Sequence, residues 1–338
     1  MRRVLSAALL IAPGVAWADL PMTYLVTNGP AATPVAHLGW GLLGLSVFVV
    51  VFISLAVLIG IWWKRSQWPR DAQGAPKLMH GRNGMPWVVI GVSVSTVLLF
   101  GSAVWTFFIM AAVAAPPVNP KITLDVTGHQ WWWEVKYEEY GKPMRTFVTA
   151  NEIHVPVGKP VRVRLIGGDV IHSFWAPKLF GKMDAIPGQT NITWFEAARA
   201  GDYRGQCTEF CGLQHAHMAF HVIAEAPPKF DAWWDHQLTD AKPPLKPAAR
   251  EGARVFEARC SVCHTVRGLA GNHGMMGPDL THLMSRRMIA AGTLPNTVGY
   301  LAAWVENAQA LKPGVDMPTE ELSNQQLQAL LDYLKTLR

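Results

Sequence analysis

One short segment of the chain concentrates side chains that bind soft metal ions. It runs from Gly205 to Met218 and reads GQCTEFCGLQHAHM. A further histidine, in GGDVIHSFW, lies upstream between two strand-like runs. The candidate ligands are His172, Cys207, Cys211, His215 and Met218. Thiolate, imidazole and thioether together suit copper, whereas zinc takes four nitrogen, sulfur or oxygen ligands and has little use for a thioether.

The number of these ligands favours two copper ions over one. A single copper would leave ligands unused, whereas two ions bridged by both thiolates would each have a histidine and one weak further group. Such a pair shares one electron, so the site is expected to transfer electrons. A disulfide between Cys207 and Cys211 and a zinc site are the alternatives. Four other histidines are interpreted as ordinary residues of the surrounding fold: His129, His154, His217 and His221.

A second motif, CSVCH, covers Cys260 to His264. It is the attachment signature of haem c: Cys260 and Cys263 would form thioether bonds to the haem, and His264 would bind the iron. A thiol–disulfide redox motif is the alternative, but it would need a βαβ context that the surrounding pattern lacks. The chain has four cysteines in all, so each belongs to one of the two motifs.

The sixth ligand of the haem iron should be a methionine or histidine downstream of CSVCH. The candidates are Met275, Met276, Met284, Met288, Met317, His273 and His282. Met317 is favoured because it precedes Pro318 on a loop that contains glycine and proline and leads into a final helix. A histidine–methionine pair is common in cytochromes c and raises the haem potential.

The elements that must hold the two sites differ in periodicity. Between residues 121 and 225, short alternating runs separated by Gly, Pro and Asn predict an antiparallel β-sandwich. From about residue 248 a helix at 250–259 is expected to pack against a final helix, which starts with a capping box of Ser323 and Gln326. The predicted units are a copper-binding domain at 117–226, a linker at 227–247 and a small all-α haem domain at 248–338.

The N-terminal third predicts export and membrane anchoring. Residues 1–18 are typical of a secretory signal peptide, and residues 19–37 would be an exported N-terminal segment. Apolar stretches at about 38–63 and 87–112 are long enough to span a bilayer, which predicts a transmembrane hairpin over 38–115. The basic loop between them should face the cytoplasm, with both redox domains on the outer, periplasmic side of a bacterial inner membrane. Nearly all of the net charge of +6 comes from this region, so no basic face remains to bind nucleic acid.

The spacing of the copper ligands, with GHQWWWE at 128–134 and DAIPG at 184–188, resembles subunit II of the haem-copper cytochrome c oxidases. The resemblance implies a cupredoxin-like fold and a binuclear copper centre, CuA, held by the five side chains named above. It implies that the carbonyl of Glu209 binds copper and that its carboxylate reaches a magnesium ion shared with the catalytic subunit. It also implies that electrons enter at Trp131. The haem segment is similar to small cytochromes c, in which the carbonyl of the proline in GPDL, here Pro278, holds the axial histidine.

A copper domain fused to a cytochrome c resembles subunit II of the caa-type oxidases. The expected function is to pass electrons from an external cytochrome c or bc complex to the haem, then to copper, then past Trp131 into subunit I, which reduces dioxygen. Subunit III is a further expected partner, and no catalytic residue is expected in this chain. The alternatives are the copper subunit of a nitric oxide reductase and a membrane-anchored carrier without a catalytic partner.

One departure from the family keeps the nitric oxide alternative open. The family opens its second membrane helix with a Leu-Glu pair, whose glutamate helps protons enter the catalytic subunit. In this chain the corresponding segment reads Met85-Pro86-Trp87-Val88. No role in proton uptake is therefore expected at that position.

Overall fold

The computed structural model describes residues 21–64, 72–73, 84–270 and 274–338. The predicted signal peptide, most of the basic loop and His273 lie outside the described residues. The described chain contains two long helices near its N-terminal end, α1 (Thr33–Lys64) and α2 (Met85–Val113). Their side chains are apolar and mostly exposed, which is typical of helices that face lipid. Both predicted membrane stretches therefore form helices, and each helix is slightly longer than expected.

The two membrane helices lie side by side and are joined to the domain that follows. A Cβ atom on Gly41 would come within 2.3 Å of the Trp105 ring, so the glycine allows the helices to approach closely. At the end of α2, the carbonyl of Val113 accepts a hydrogen bond from Trp194 Nε1 at 2.9 Å. Before α1, the backbone of Asn28 forms two hydrogen bonds with the same domain. These contacts fix how the helix pair meets the sandwich domain.

Two five-stranded sheets pack face to face as a cupredoxin-like sandwich. The first has the order β3 (Lys142–Ala150), β2 (Trp132–Glu139), β1 (Ile122–His129), β5 (Val161–Gly167) and β8 (Thr190–Phe195). The second has the order β4 (Glu152–Pro156), β10 (Ala219–Glu225), β9 (Gly201–Cys207), β6 (His172–Trp175) and β7 (Met183–Ala185). The predicted sandwich is confirmed, but the expectation of a purely antiparallel one is wrong. The chain changes sheets after β3 and again after β4, so β1 runs parallel to β5 and β10 runs parallel to β4.

Strand alternation sends every second side chain into the space between the sheets. Leu124, Val163 and Leu165 of the first sheet have no exposed surface. Phe174 and Phe220 of the second sheet stack with their ring centroids 4.0 Å apart. This rigid apolar interior supports the ends of β6, β9 and β10, which are neighbours in the second sheet.

Residues 227–247, which the sequence predicts to be a linker, are not irregular throughout. Their first half forms α3 (Pro227–Gln237), which begins with proline at its first positions, where a missing N–H costs nothing. Phe230 and Trp234 lie four residues apart on one face of α3 and are buried against Tyr137 and other aromatic residues of the sandwich. The i, i+4 spacing of this aromatic pair indicates a helix. The overall composition of the segment, which is typical of a linker, concealed that signal.

The C-terminal domain is helical with one very short hairpin, as a cytochrome c domain should be. Its elements are α4 (Pro247–Arg259), β11 (Met288–Ile289), β12 (Leu294–Pro295), α5 (Val298–Glu306), α6 (Ala308–Leu311) and α7 (Asn324–Leu334). Helix α4 packs along α7, as the sequence analysis predicts. The capping box is also confirmed, because Ser323 and Gln326 exchange side-chain and backbone hydrogen bonds.

Replacing Gly252 with alanine should destabilise this helix crossing by about 3 kcal/mol, the upper part of the usual range for overpacking. A Cβ atom at Gly252 would lie 1.9 Å from the carbonyl oxygen of Ala329, and a backbone atom cannot rotate away. Gly299→Ala is the matched control, because no atom lies within 4 Å of its added Cβ. Chemical unfolding of the haem-loaded chain measures both variants. Equal stability of the two would contradict the helix contact.

Candidate copper and haem sites

The structure brings all five predicted copper ligands into one cluster. The Sγ atoms of Cys207 and Cys211 are 3.7 Å apart. His172 Nδ1 lies 3.9 Å from Cys207 Sγ, and His215 Nδ1 lies 3.6 Å from Cys211 Sγ. Met218 Sδ lies 3.9 Å from Cys211 Sγ. Each thiol therefore has its own imidazole, as a centre with two bridged metal ions requires.

The spacing of the two sulfur atoms fits metal ligation better than a disulfide. A disulfide needs about 2.05 Å between sulfurs, whereas two sulfurs each about 2.3 Å from one ion lie nearly 4 Å apart at a tetrahedral angle. Cys207, Cys211, His172 and Met218 are all buried, and His215 is partly exposed. A buried set of soft donors fits copper, and the thioether among them disfavours zinc.

The two thiols share their protons unequally. The hydrogen bond with Cys211 lowers the pKa of Cys207 to about 4; burial opposes this, and His172 adds to it. The same contact, with burial adding to it, raises the pKa of the Cys211 thiol. The close contact of the two sulfurs therefore favours ionisation of one thiol of the pair. The thiolate is the form of cysteine that binds metals.

Two residues that the sequence did not single out orient His172. Asp169 Oδ1 lies 2.8 Å from His172 Nε2, and its other carboxylate oxygen accepts a hydrogen bond from the backbone N–H of Gln130. A Cβ atom at Gly128 would lie 2.7 Å from the same imidazole, so the glycine allows the ring to pack closely. A carboxylate on the far nitrogen is the usual second partner of a metal-binding histidine. Asp169 precedes His172 by three residues, and that proximity was its only sequence signal.

Trp131 is buried against the copper loop and is not the exposed member of its tryptophan run. Its Nε1 donates a hydrogen bond to the carbonyl of Cys211 at 2.9 Å, and Gln130 Nε2 donates to the same oxygen at 2.7 Å. Trp133 belongs to the sandwich core, while Trp132 stacks on His129. Trp131 is therefore one hydrogen bond away from a thiol ligand.

The other histidines have partners away from the cluster, in agreement with their interpretation as ordinary residues. His129 stacks on Trp132, His154 lies between Glu152 and Glu225, His217 bonds Gln214, and His221 bonds Asp202.

A cavity of about 230 Å³ lies in the C-terminal domain beside the CSVCH motif. Cys260, Cys263 and His264 line it together with apolar side chains. His264 Nδ1 lies 2.8 Å from the carbonyl of Pro278, which fixes a tautomer with its proton on Nδ1 and presents Nε2 as a ligand. Burial lowers the pKa of His264, which keeps the imidazole neutral. A Cβ atom at Gly277 would lie 2.6 Å from the same ring, so the residues present fit a haem.

The structure narrows the candidates for the sixth iron ligand. Met276, Met288 and Met317 line the cavity, whereas Met284 packs into the core of the domain. Both ring nitrogens of His282 already lie within hydrogen-bond distance of backbone carbonyls. The carbonyl of Met317 accepts a hydrogen bond from Gln309 Nε2 at 2.8 Å, which holds the loop that carries it.

The cavity is closed on one side by the copper-binding domain. Trp131 lines it, and so does Lys312 of the haem domain, whose Nζ donates to the carbonyl of Trp131 at 2.8 Å. Trp131 therefore lies between the haem cavity and the thiols, and the order in which electrons pass it stays a prediction. Sequence reasoning missed Lys312, since nothing in its local pattern marks a contact with residues so distant in the chain. Burial lowers the pKa of Lys312 to about 7.

An ion pair also crosses between the two domains and should make their contact sensitive to acid. Arg287 Nη1 lies 3.1 Å from Asp202 Oδ2. Burial disfavours ionised Asp202, but the hydrogen bond with His221 and the charge of Arg287 outweigh it, so the pKa of Asp202 lies below its ordinary value of 3.8. A lowered carboxyl pKa stabilises the folded chain above pH 3.8, and this stabilisation is lost as pH falls through the folded pKa.

At neutral pH, Asp202→Asn should therefore lower the midpoint of thermal unfolding by roughly 1–3 °C. The difference from the unsubstituted chain should shrink as the pH falls below the ordinary carboxyl pKa. Asp231→Asn, at an exposed position on α3, serves as the control. A difference that stays constant from pH 7 to pH 3 would contradict this role of Asp202.

The carbonyl and carboxylate of Glu209 lie in different surroundings. The carbonyl oxygen is 3.4 Å from Cys207 Sγ, at the edge of the ligand cluster. The carboxylate is partly exposed and lies 4.0 Å from Lys182 Nζ. The backbone of Glu209 can therefore face the copper ligands. Its side chain can face solvent or a partner.

A helical membrane anchor, a sandwich with a buried cluster of soft metal ligands and a domain with a haem attachment motif together define a membrane-bound electron-transfer protein. Comparisons with known proteins agree. Residues 141–225 match the model of the cytochrome c oxidase subunit II periplasmic domain, and residues 249–338 match that of cytochrome c.

Relatives with the same name extend the match over most of the chain. Cytochrome c oxidase subunit 2 of Alkalihalophilus pseudofirmus is 35% identical over 88% of this chain and 83% of its own length. The protein of the same name from Bacillus sp. strain PS3 is 32% identical over 80% of this chain and 77% of its own. The chain therefore belongs to the cytochrome c oxidase subunit II family. It is the electron-transfer subunit of a caa-type oxidase and part of an oxidoreductase complex, which implies a subunit I partner.

Proposed function

We propose that the chain carries electrons from a haem c through the wall formed by Trp131 to a CuA centre, and from there to subunit I, which reduces dioxygen. One observation supports the proposed order of these electron transfers. Trp131 lines the haem cavity and also donates a hydrogen bond to the carbonyl of Cys211. A single side chain thus touches both sites, and it is the point at which electrons enter the copper domain.

The proposed copper centre holds two ions. Its ligands are the side chains of His172, Cys207, Cys211, His215 and Met218 and the backbone carbonyl of Glu209. Copper held by these residues would supply a carrier that takes up and releases one electron. The protein contributes a buried, preformed set of donors, and Asp169 holds the orientation of His172. The distance of 3.4 Å between Glu209 O and Cys207 Sγ supports the carbonyl as a ligand.

Cys260 and Cys263 would bind the proposed haem covalently, and His264 and Met317 would bind its iron. The haem iron supplies the second one-electron carrier, and methionine ligation raises its potential. Val262 and Met276 line the cavity and are about three-quarters exposed, at 75% and 74%. This open edge is where we propose that an external cytochrome c or a bc complex delivers electrons.

The membrane anchor bears on the location of the chain and on its partner subunits. We propose that the signal peptide is removed, that α1 and α2 span a bacterial inner membrane, and that both redox domains lie on the periplasmic side. The partners would be subunits I and III. We further propose that the carboxylate of Glu209 leaves Lys182 and binds a magnesium ion at the contact with subunit I.

Dioxygen is favoured over nitric oxide as the final electron acceptor, because the relatives over most of the chain are named cytochrome c oxidase subunit 2. Helix α2 has no acidic residue in its first turn, so we propose that this chain supplies no proton-uptake group there. Copurification of a catalytic subunit that reduces nitric oxide and not dioxygen would contradict this assignment. Migration of the chain alone in mild detergent would favour a carrier without a catalytic partner.

The experiment that tests the proposal is metal and haem analysis of the full chain, purified in detergent after haem attachment and copper loading. Two copper ions and one iron per chain are expected, with an electron paramagnetic resonance signal from one unpaired electron shared by two copper nuclei. One zinc ion in place of copper, or a Cys207–Cys211 disulfide without metal, would overturn the copper assignment.

A further inference from the structure

Lys312 is a buried lysine that the electron-transfer function leaves unexplained. Only 2% of its surface is exposed. No carboxylate lies within ion-pair distance of its Nζ among the residues that the structure describes. Its Nζ instead reaches two backbone carbonyls, Trp131 O at 2.8 Å and Ala290 O at 3.2 Å. One acceptor belongs to the copper-binding domain and the other to the haem domain.

The contacts around Lys312 fall on residues beside the copper ligands. The carbonyl of Pro313 accepts a hydrogen bond from Gln214 Nε2 at 2.7 Å, and Gln214 precedes the ligand His215. The backbone N–H of Ala219 donates to the carbonyl of Ala291 at 3.0 Å, and Ala219 follows the ligand Met218. The haem domain therefore touches the copper loop next to two of its ligands.

Two of these carbonyls belong to the turn at Ala290 and Ala291, whose backbone conformation is unfavourable. Ala290 and Ala291 have φ angles of 52° and 55°, in the left-handed region that alanine rarely adopts. Such a conformation persists only where the surroundings hold it. Here the surroundings are the hydrogen bond from Lys312 to Ala290 and the hydrogen bond from Ala219 to Ala291.

We propose that Lys312 is a positioning residue that locks the haem domain onto Trp131 and the copper loop, so that the distance between the two redox sites is built into the chain. This inference rests on the proposed relay from haem to copper. A neutral amine has two N–H donors and would meet both carbonyls. The bridge therefore does not depend on the charge of Lys312.

The variant that tests the lock is Lys312→Met, which keeps the length of the side chain and removes its donors. Lys335→Met is the matched control, because Lys335 is partly exposed and pairs with Asp332 at 2.6 Å within its own domain. Both are compared with the unsubstituted, full-length, haem- and copper-loaded chain in detergent. A pH of 8.5 is used, above the lowered pKa of Lys312, so that loss of the donors is the main change.

The first readout is hydrogen–deuterium exchange at the amide of Ala219, whose hydrogen bond crosses between the domains. Exchange in Lys312→Met should be faster by roughly five- to hundredfold, the range expected when two buried acceptors lose their donor. Lys335→Met and amides inside β5 should exchange as in the unsubstituted chain. Equal exchange at Ala219 in both variants would overturn the proposal. An unprotected Ala219 in the unsubstituted chain would also overturn it, even if Lys312→Met failed to fold.

The second readout is the rate at which an electron, placed on the haem by a light flash, equilibrates with copper. In the unsubstituted chain this rate should not depend on solvent viscosity, because the domains are already docked. In Lys312→Met it should fall as viscosity rises, which a mere loss of stability would not cause. Viscosity independence in both would argue against the lock. Failure of the relay itself would be recognised separately, as a missing haem or copper spectrum in the unsubstituted chain.

Discussion

Replacing Cys211 with serine should reduce copper binding to less than a tenth of that of the unsubstituted chain and abolish the signal of the shared electron. Cys211 lies at the centre of the cluster: its Sγ atom has Cys207, His215 and Met218 as neighbours within 4 Å. A serine hydroxyl remains protonated at neutral pH and is a hard donor, so it cannot bridge two copper ions as a thiolate does. Copper per chain and the electron paramagnetic resonance spectrum measure the effect.

The histidines of the same loop provide a matched pair of controls. His215 and His217 lie in one short helical turn, His215–His217, but only His215 has its ring beside a thiol. His217 Nδ1 lies 2.7 Å from Gln214 Oε1 instead. His215→Asn should lose copper, and His217→Asn should keep it. Normal copper content in Cys211→Ser, or equal loss in both histidine variants, would show that the ligand set is a different one.

The copper ligands could be predicted from the sequence because their chemistry is local. The cysteines, His215 and Met218 lie on one loop, and their spacing alone selects soft donors that can reach one centre. His172 is more distant in sequence, but it begins β6, which pairs with β9, the strand that ends at Cys207. The residue types had already indicated all five copper ligands. The pairing of β6 with β9 explains how His172 reaches the other four.

The roles that the sequence did not predict depend on contacts between residues that are distant in the chain or belong to no motif. Lys312 and Trp131 meet only after the haem domain has packed onto the sandwich, so neither local periodicity nor motif spacing indicates their hydrogen bond. Asp169 carries no motif of its own. The parallel pairing of β1 with β5 depends on how the chain crosses between sheets, which alternation within a strand cannot specify.

The position of Trp131 changes how the fusion of the two domains is understood. A tether alone raises the effective concentration of one domain near the other, and the domains would still meet by diffusion. Here the haem cavity already has Trp131 in its wall, and the backbone carbonyls of Pro313 and Ala291 are hydrogen-bonded to the copper loop. Docking of the haem domain onto the copper-binding domain is therefore part of the fold.

Replacing Met317 with leucine should lower the midpoint potential of the haem by on the order of a hundred millivolts, because a thioether ligand favours the reduced iron. Leucine has nearly the volume of methionine but cannot bind iron, so the cavity should stay filled. Met288→Leu is the matched control, since Met288 lines the same cavity and is also partly buried. Redox titration of the haem absorbance in the full chain measures both variants.

The pair of variants decides between two of the three methionines that line the cavity. Met317 lies on a loop held by Gln309, which bonds the carbonyls of Val315 and Met317. Met288 lies in β11, whose pairing with β12 fixes its backbone in an extended conformation. We therefore expect that Met317, and not Met288, would bind the iron. A fall in potential for Met288→Leu and none for Met317→Leu would transfer the axial role to Met288. The covalent attachment at Cys260 and Cys263 would be unaffected.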